Sequence, residues 1–249
     1  MKKILVIGDS CSDVFVYGNC PRLCPEAPVP IFIPKHSDIM GGMSKNVMNN
    51  IISLGIKCDL FTQPEFLEKT RYVDKKTNQI IIRIDNTDNK VSRIDLSKLP
   101  ELSQYDAIVL SDYDKGFLEE EDIYSISLRH PLVFLDTKKF LGDWCKNISF
   151  IKINKHEFEN TKSTLKNREW INGKLIITLE DKGCSYQNIL FPVEKVDIKD
   201  MAGAGDTFLS GLVVEYLKSN NIENSIKFAN ICATQVVQKK GVSIVKFKL

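Results

Sequence analysis

The sequence predicts an α/β fold built on a central, mostly parallel sheet with helices on both faces. Three observations predict it. Short β-branched runs recur along the chain, separated by stretches long enough for helices. The runs are apolar almost throughout instead of alternating, as expected of strands buried on both faces. Several end in a polar residue (Asp112, Asp136, Asn154, Thr178), which places reactive side chains at the strand C-termini, where open α/β sheets hold ligands.

In chain order, KILVIG (3–8) is the first strand. MSKNVMNNIISL (43–54) puts Val47, Ile51 and Leu54 on one helical face, and Leu54-Gly55 closes that helix. CDLFT (58–62), AIVLSD (107–112), PLVFLD (131–136), ISFIKI (148–153) and KLIITL (174–179) are further strands. Two regions break the rhythm. VPIFIP (29–34) is bounded by prolines, and TRYVDKKTNQIIIRID (70–85) reads as two strands joined by a polar turn at 75–78. They predict extra β-structure outside the main sheet, a small β lid with strands from about 14–34 and 70–85. Residues 86–104 are polar and predict no element. With no linker or repeat, the chain is expected to form one domain over residues 1–249.

Composition narrows the function classes. The chain has 249 residues, 43% hydrophobic and 27% charged, and a net charge of +2, so no overall field points to nucleic acid or a membrane surface. No apolar run reaches spanning length, and the run after Lys2-Lys3 meets Gly8-Asp9 too soon for a signal peptide. Seven scattered cysteines with no CxxC, and three histidines without zinc spacing, fit free thiols in a reducing cytoplasm.

The chemistry-bearing motifs begin with DMAGAGDTF (200–208). Glycines let backbone N–H groups approach a ligand, and a helix N-terminus favours an anion there. An aspartate at that place, Asp206, is a candidate base for a hydroxyl attacking a phosphoryl group, and the helix dipole is expected to keep it ionised. The plainer reading, an N-cap after a tight turn, stands equally on this segment alone. GGMSKN (41–46) offers Gly41, Gly42 and Asn46 at another helix start, where an amide suits hydroxyl recognition or simply faces solvent. Asp9 and Asp13 follow the first strand; turn chemistry explains Asp9 well and Asp13 less well. Asn154 and Glu157 in NKHEFE have the spacing of a capping box and equally of a pair that organises Mg²⁺-bound water. Arg71 and Arg83 flank the turn of the proposed lid and suit bidentate phosphate recognition; Lys45 and Lys115 lie near the motifs, where most lysines are merely solvated.

Taken in order, GGMSKN, NKHE and GAGDTF resemble the ribokinase-like (PfkB) carbohydrate kinases along nearly the whole chain. Within that family, CPEAPVP (24–30), KTRYV (69–73), NQIIIRID (78–85) and LSDYDKGFL (110–118) are similar to the kinase half of bifunctional heptose 7-phosphate kinase/ADP-heptose synthases. The resemblance implies a three-layer αβα ribokinase-like fold with a small β lid, and use of ATP and Mg²⁺, with monovalent-cation dependence open. It implies that Asp206 is the catalytic base and that Gly203, Ala204 and Gly205 form the anion hole. It assigns Asn154 and Glu157 to the Mg²⁺–phosphate motif, Glu157 acting through water. Asp13, Gly42 and Asn46 match sugar-contacting positions; Arg71, Arg83 and Lys115, with Asp112 beside them, are candidates around the sugar and its phosphate. Thr178, Gly183 and Asn230 fall on the nucleotide side. A homodimer through the lid, a cytoplasmic location and a separate nucleotidyltransferase are also implied, since no HxGH motif follows.

The chain departs from the family between LGIKCDLFTQ and KTRYV, where the connection is short and a helix and turn are expected to be missing. The leading expectation is a kinase that phosphorylates the anomeric hydroxyl of a heptose 7-phosphate. A kinase of another sugar, and a non-catalytic sugar or nucleotide sensor on the same fold, are the alternatives.

Overall fold

The computed structural model describes residues 2–86 and 91–246. Eight strands form the main sheet, in the order β12-β11-β10-β9-β8-β7-β1-β4. These are β1 (Lys3–Gly8), β4 (Lys57–Phe61), β7 (Ala107–Asp112), β8 (Val133–Thr137), β9 (Phe150–Asn154), β10 (Leu175–Thr178), β11 (Cys184–Tyr186) and β12 (Ile189–Phe191). From β4 to β10 all neighbours are parallel, and β11 and β12 add an antiparallel edge.

The alternation of side chains explains the continuous apolar runs. Leu5, Ile7, Ile108, Leu110, Leu135 and Ile151 face one side, packing with Ile123 and Ile126 of α2 (Glu120–Leu128) and with Phe158 of α3 (Lys155–Thr161). Ile4, Val6, Val109, Phe134 and Ile176 face the other, against α1 (Ser44–Ser53), α4 (Ala204–Ser219) and α5 (Ile222–Val237). Both faces are thus covered, giving the three-layer αβα arrangement that the resemblance implies. As expected, Val47 and Ile51 are the fully buried face of α1, and Leu54 closes it.

A second sheet, β3-β2-β5-β6, contains β2 (Ser10–Asn19), β3 (Ile33–Met43), β5 (Glu68–Asp74) and β6 (Ile80–Asp85). The hairpin of β5 and β6 falls where 70–85 predicted it. The first pair differs: β2 starts at Ser10, residues 20–32 are largely loop, and β3 begins only at Ile33 and runs through Gly41-Gly42 to Met43. Proline cannot donate to a ladder, and the strand begins beyond Pro30, with Pro34 falling at its second residue, where the register with β2 shifts. Residues 91–104 also differ from expectation, since Val91, Ile94 and Leu102 are buried in the main core. Among the described residues, no helix is long and apolar enough to cross a membrane.

Candidate active site

Three elements converge on Asp206. It occupies the third position of α4, and Gly203, left-handed at φ 79°, serves as the N-cap. That conformation favours glycine, which has no Cβ to clash. Asp206 does not cap the helix: its oxygens turn outward to other elements, which overturns the plainer reading of the motif. Oδ2 accepts from Asn46 Nδ2 at 2.9 Å, and Oδ1 accepts from the Tyr113 hydroxyl at 2.5 Å. Asn46 is braced in turn, its Oδ1 accepting from Asn50 Nδ2 at 3.0 Å, while Asn50 Oδ1 accepts from the Val245 N–H.

Burial sets the electrostatics. Asp206 is 4% exposed, and desolvation raises its pKa from 3.8 to about 6, against the pull of the Tyr113 and Asn46 hydrogen bonds; Asp136 pushes it up further and Lys152 draws it down. The helix dipole therefore does not dominate, as the motif alone suggested, yet a carboxyl of this pKa is still mostly ionised at neutral pH. The Tyr113 phenol is held well above its ordinary value by burial and by the Asp206 charge, so it stays a donor.

Beside Asp206, Lys152 Nζ sits 2.8 Å from Asp136 Oδ2, both nearly buried, and a Cβ on Gly205 would lie 2.9 Å from that ammonium. A cation thus stands at the N-terminus of α4. Asn154 and Glu157 form a reciprocal capping box, Glu157 N–H to Asn154 Oδ1 at 2.8 Å and Asn154 N–H to Glu157 Oε2 at 2.7 Å. The free side of Glu157 pairs with Lys138.

On the small sheet, Asp13 accepts from Arg71 Nη1 at 2.5 Å, and the guanidinium lies 5.0 Å over the Phe15 ring. A side chain at Gly42 would meet Asp13 Oδ2 at 2.1 Å, so only glycine admits this carboxylate. Arg83 is opposite Arg71 in register and bonds Asp85. Lys69, on the same face as Arg71, reaches the Tyr113 ring at 5.8 Å. Asp9 is fully buried, with its pKa pushed up to about 6 by burial, and accepts from the Tyr113 N–H at 2.7 Å. It anchors the loop and does not face a ligand. Asp112 is likewise committed elsewhere, to Thr137 Oγ1 (2.5 Å), Lys139 (3.2 Å) and the Asp114 N–H (3.0 Å), and none of these bonds reaches Asp206. Lys115 lies half-buried two residues beyond Tyr113, its carbonyl accepting from Val91 N–H.

A cleft of about 630 Å³ opens beside this cluster. Tyr113, Asp136, Lys152, Ala204 and Gly205 line it, together with Asn154, Thr178, Gly183 and Asn230. The rest of the lining mixes charged side chains such as Glu180, Asp181 and Lys195 with an apolar patch of Val193, Val196, Ala233 and Val237. Asn230 donates to the Phe191 carbonyl at 2.9 Å, so part of its amide holds β12. The cleft has the size and mixed lining of a small-molecule site. Among the described residues, no group of three or more His, Cys, Asp or Glu is placed to hold a metal ion. A divalent cation here would have to be held by phosphate oxygens and water, which is the usual habit of Mg²⁺.

Sequence reasoning missed Tyr113 and Lys152 as site residues, and it placed Asp136 at a strand end facing the ligand crevice without giving it a role. Lys152 had a signal: it is a lone charge inside the apolar strand ISFIKI. Tyr113 lay within LSDYDKGFL without being singled out.

Comparison with known proteins matches residues 68–247 to the family described as pfkB family carbohydrate kinase. The bifunctional protein HldE of Helicobacter acinonychis (strain Sheeba) is 30% identical, over 97% of this chain and 64% of the relative; that of a Nitratiruptor species is 28% identical, over 96% and 62%. The chain thus spans less than two thirds of the length of these relatives. The first alignment runs over 296 residues, more than the 249 of this chain, so the relative carries segments that are missing here. In fold, the chain is similar to a nucleoside kinase of Methanocaldococcus jannaschii (TM-score 0.73, 18% identity, 99% of this chain and 95% of that one). It is similar also to a ribokinase of Thermotoga maritima (TM-score 0.71, 17% identity, 97% and 95%).

Proposed function

The chain belongs to the pfkB family of carbohydrate kinases, and on that premise we propose that it transfers the γ-phosphoryl group of ATP to the anomeric hydroxyl of a heptose 7-phosphate. The observation that carries the kinase reading is Asp206: a buried carboxylate in the first turn of α4, bonded to Tyr113, which lines the cleft, and with Lys152 beside Gly205. Phosphoryl transfer requires little more than positioning of the groups and stabilisation of charge. In this reading Asp206 takes the proton of the acceptor hydroxyl. The Gly205 N–H, with Lys152, holds the phosphoryl oxygens, the Ala204 N–H being bonded to the Met201 carbonyl at 3.2 Å, while Asn154 and Glu157 orient water around the phosphates. Mg²⁺, when bound, supplies charge neutralisation on the nucleotide. The apolar patch of Val193, Val196, Ala233 and Val237 suits an adenine.

The choice of heptose is supported by the stretches CPEAPVP, KTRYV, NQIIIRID and LSDYDKGFL, and by similarity to the HldE proteins. Asp13, Gly42 and Asn46 would face the sugar, with Arg71, Arg83 and Lys115 around its phosphate; Asp112, buried and bonded to Thr137 and Lys139, would only brace the loop that carries Lys115. Because Arg71 is already bonded to Asp13, its remaining guanidinium donors are the ones offered to the phosphate. The test is ADP release with heptose 7-phosphate, hexose phosphates and unphosphorylated sugars. Heptose 7-phosphate is expected to give the highest kcat/KM, and Arg71→Ala to raise its KM by roughly tenfold or more, the worth of one charge-assisted hydrogen bond. No turnover with any sugar, despite tight binding in calorimetry, would favour the sensor reading instead.

We also propose a homodimer through the small sheet. Ile39 (70% exposed), Ile82 (53%) and Ile84 (49%) lie on its outer face, opposite the face carrying Asp13 and Arg71. An aliphatic sheet face beside an open edge strand is the kind of surface that a second copy covers. Ile82→Asp with Ile84→Asp is expected to convert a dimer to a monomer in light scattering. A monomeric wild-type chain at micromolar concentration would exclude the dimer.

A further inference from the structure

The base is shielded in this structure, with Asp206 4% exposed. Asp206 offers two oxygens, and each already accepts a hydrogen bond, from Asn46 and from Tyr113. The two donors are not equally fixed. Asn46 is 1% exposed on α1, and Asn50 bonds both its carbonyl and its side-chain oxygen. Tyr113 is only half-buried, lines the cleft, and lies in a loop where Asp114 and Gly116 take positive φ (55° and 97°). Its backbone N–H is tethered to Asp9, and its ring packs against the main core while meeting the Lys138 and Lys69 ammonium groups at 5.4 and 5.8 Å from its centre. A turn of the ring toward the cleft that it lines would release Asp206 while the backbone stays.

We propose that the Tyr113 hydroxyl is a stand-in for the acceptor: it occupies on Asp206 Oδ1 the place that the sugar hydroxyl takes, and the sugar must displace it. The inference rests on Asp206 being the base, as argued above. A phenol O–H and a sugar O–H present the same donor to a carboxylate, and the 2.5 Å bond is in the range of a charge-assisted O–H···O⁻ contact. With no sugar bound, the latch keeps water off the base. Without the latch, a water oxygen would attack the γ-phosphorus and pass its proton to Asp206. The bond from that phosphorus to the bridging oxygen would break, releasing ADP and phosphate, and Asp206 would return the proton to solvent. Tyr113 is thus a positioning residue that reserves the base for the acceptor.

The test is Tyr113→Phe, which removes one oxygen and leaves the ring. Three readouts are taken against wild type: sugar-free ADP release from ATP, calorimetric binding of heptose 7-phosphate without nucleotide, and sugar-dependent kcat. Sugar-free hydrolysis is expected to rise roughly three- to tenfold and sugar binding to tighten by a similar factor, the net worth of the hydrogen bond no longer displaced. The same gain in hydrolysis is expected to vanish in Tyr113→Phe combined with Asp206→Asn. Unchanged or lower sugar-free hydrolysis together with weaker sugar binding overturns the proposal and makes Tyr113 a fixed support. Should the Phe variant not fold, Tyr113→Met keeps the bulk and answers the same question. The hydrolysis arm needs no sugar, so it stands even if the acceptor is not a heptose. If Asp206→Asn leaves sugar-dependent transfer intact, it is the base assignment that has failed, not the latch alone.

Discussion

Asp206→Asn is expected to lower kcat by about a thousandfold, within the usual range for a general base, and to leave the sugar KM within a few-fold. An amide keeps the shape of the carboxyl and can still meet Asn46 and Tyr113, but it takes no proton. The same change is expected to stabilise the fold. The folded pKa of about 6 lies above the ordinary 3.8, so the ionised carboxylate costs the folded state free energy at neutral pH. That cost is absent below about pH 3.8 and grows as pH rises through 6. Removing the charge therefore raises stability at pH 7.5, and the melting temperature with it, by an amount on the order of 1–3 kcal/mol, and leaves little difference at pH 4. In the wild type, kcat/KM is expected to fall as pH drops through about 6, where the base becomes protonated. A variant with unchanged turnover, or with a lower melting temperature at pH 7.5 than at pH 4 relative to wild type, would contradict this account of Asp206.

The parts of the fold that were legible in the sequence are those whose signal is local. β1 and β7 to β10 announce themselves because burial on both faces removes polar residues from the run. α1 is visible because Val47 and Ile51 are one turn apart. The GAGD motif marks the start of α4 because a left-handed cap needs Gly203. What was not legible depends on distant partners. β3 carries IPKHSDIM, exposed along its first eight residues, so no alternation identifies it; pairing with β2 makes it a strand. Val91, Ile94 and Leu102 are single apolar anchors with no period between them. The site shows the same division. Asp206 was readable as a reactive carboxylate, but its donors stand 160 and 93 residues away in sequence. Its ionisation at neutral pH was read from the helix dipole, a local effect, whereas desolvation, a tertiary one, raises its pKa to about 6.

Lys152→Met is expected to cost both stability and turnover, and the two losses have different causes. Lys152 and Asp136 are 4% and 5% exposed and 2.8 Å apart, and Asp136 Oδ1 has no other partner among the described residues. Removing the ammonium leaves a buried carboxylate without its counter-charge, which costs about 3–5 kcal/mol. The catalytic loss arises on the other side of the same ammonium, which stands beside Gly205 where phosphoryl charge would develop. Losing such a charge typically costs about a hundredfold or more in rate. It also removes a group that draws the pKa of Asp206 down, so the acid limb of kcat/KM is expected to move to higher pH. Asp136→Asn added to Lys152→Met separates these effects. The double variant no longer buries a lone carboxylate, so its melting temperature is expected to recover most of the loss, while kcat/KM stays low because the cation is still missing. A double variant that regains turnover along with stability would make the pair a purely structural bridge. A single Lys152→Met of wild-type stability would mean that the strand ends relax enough to hydrate Asp136. Turnover lost without recovery, in a protein restored to its normal melting temperature, is the signature of a cation that acts on the transferred group.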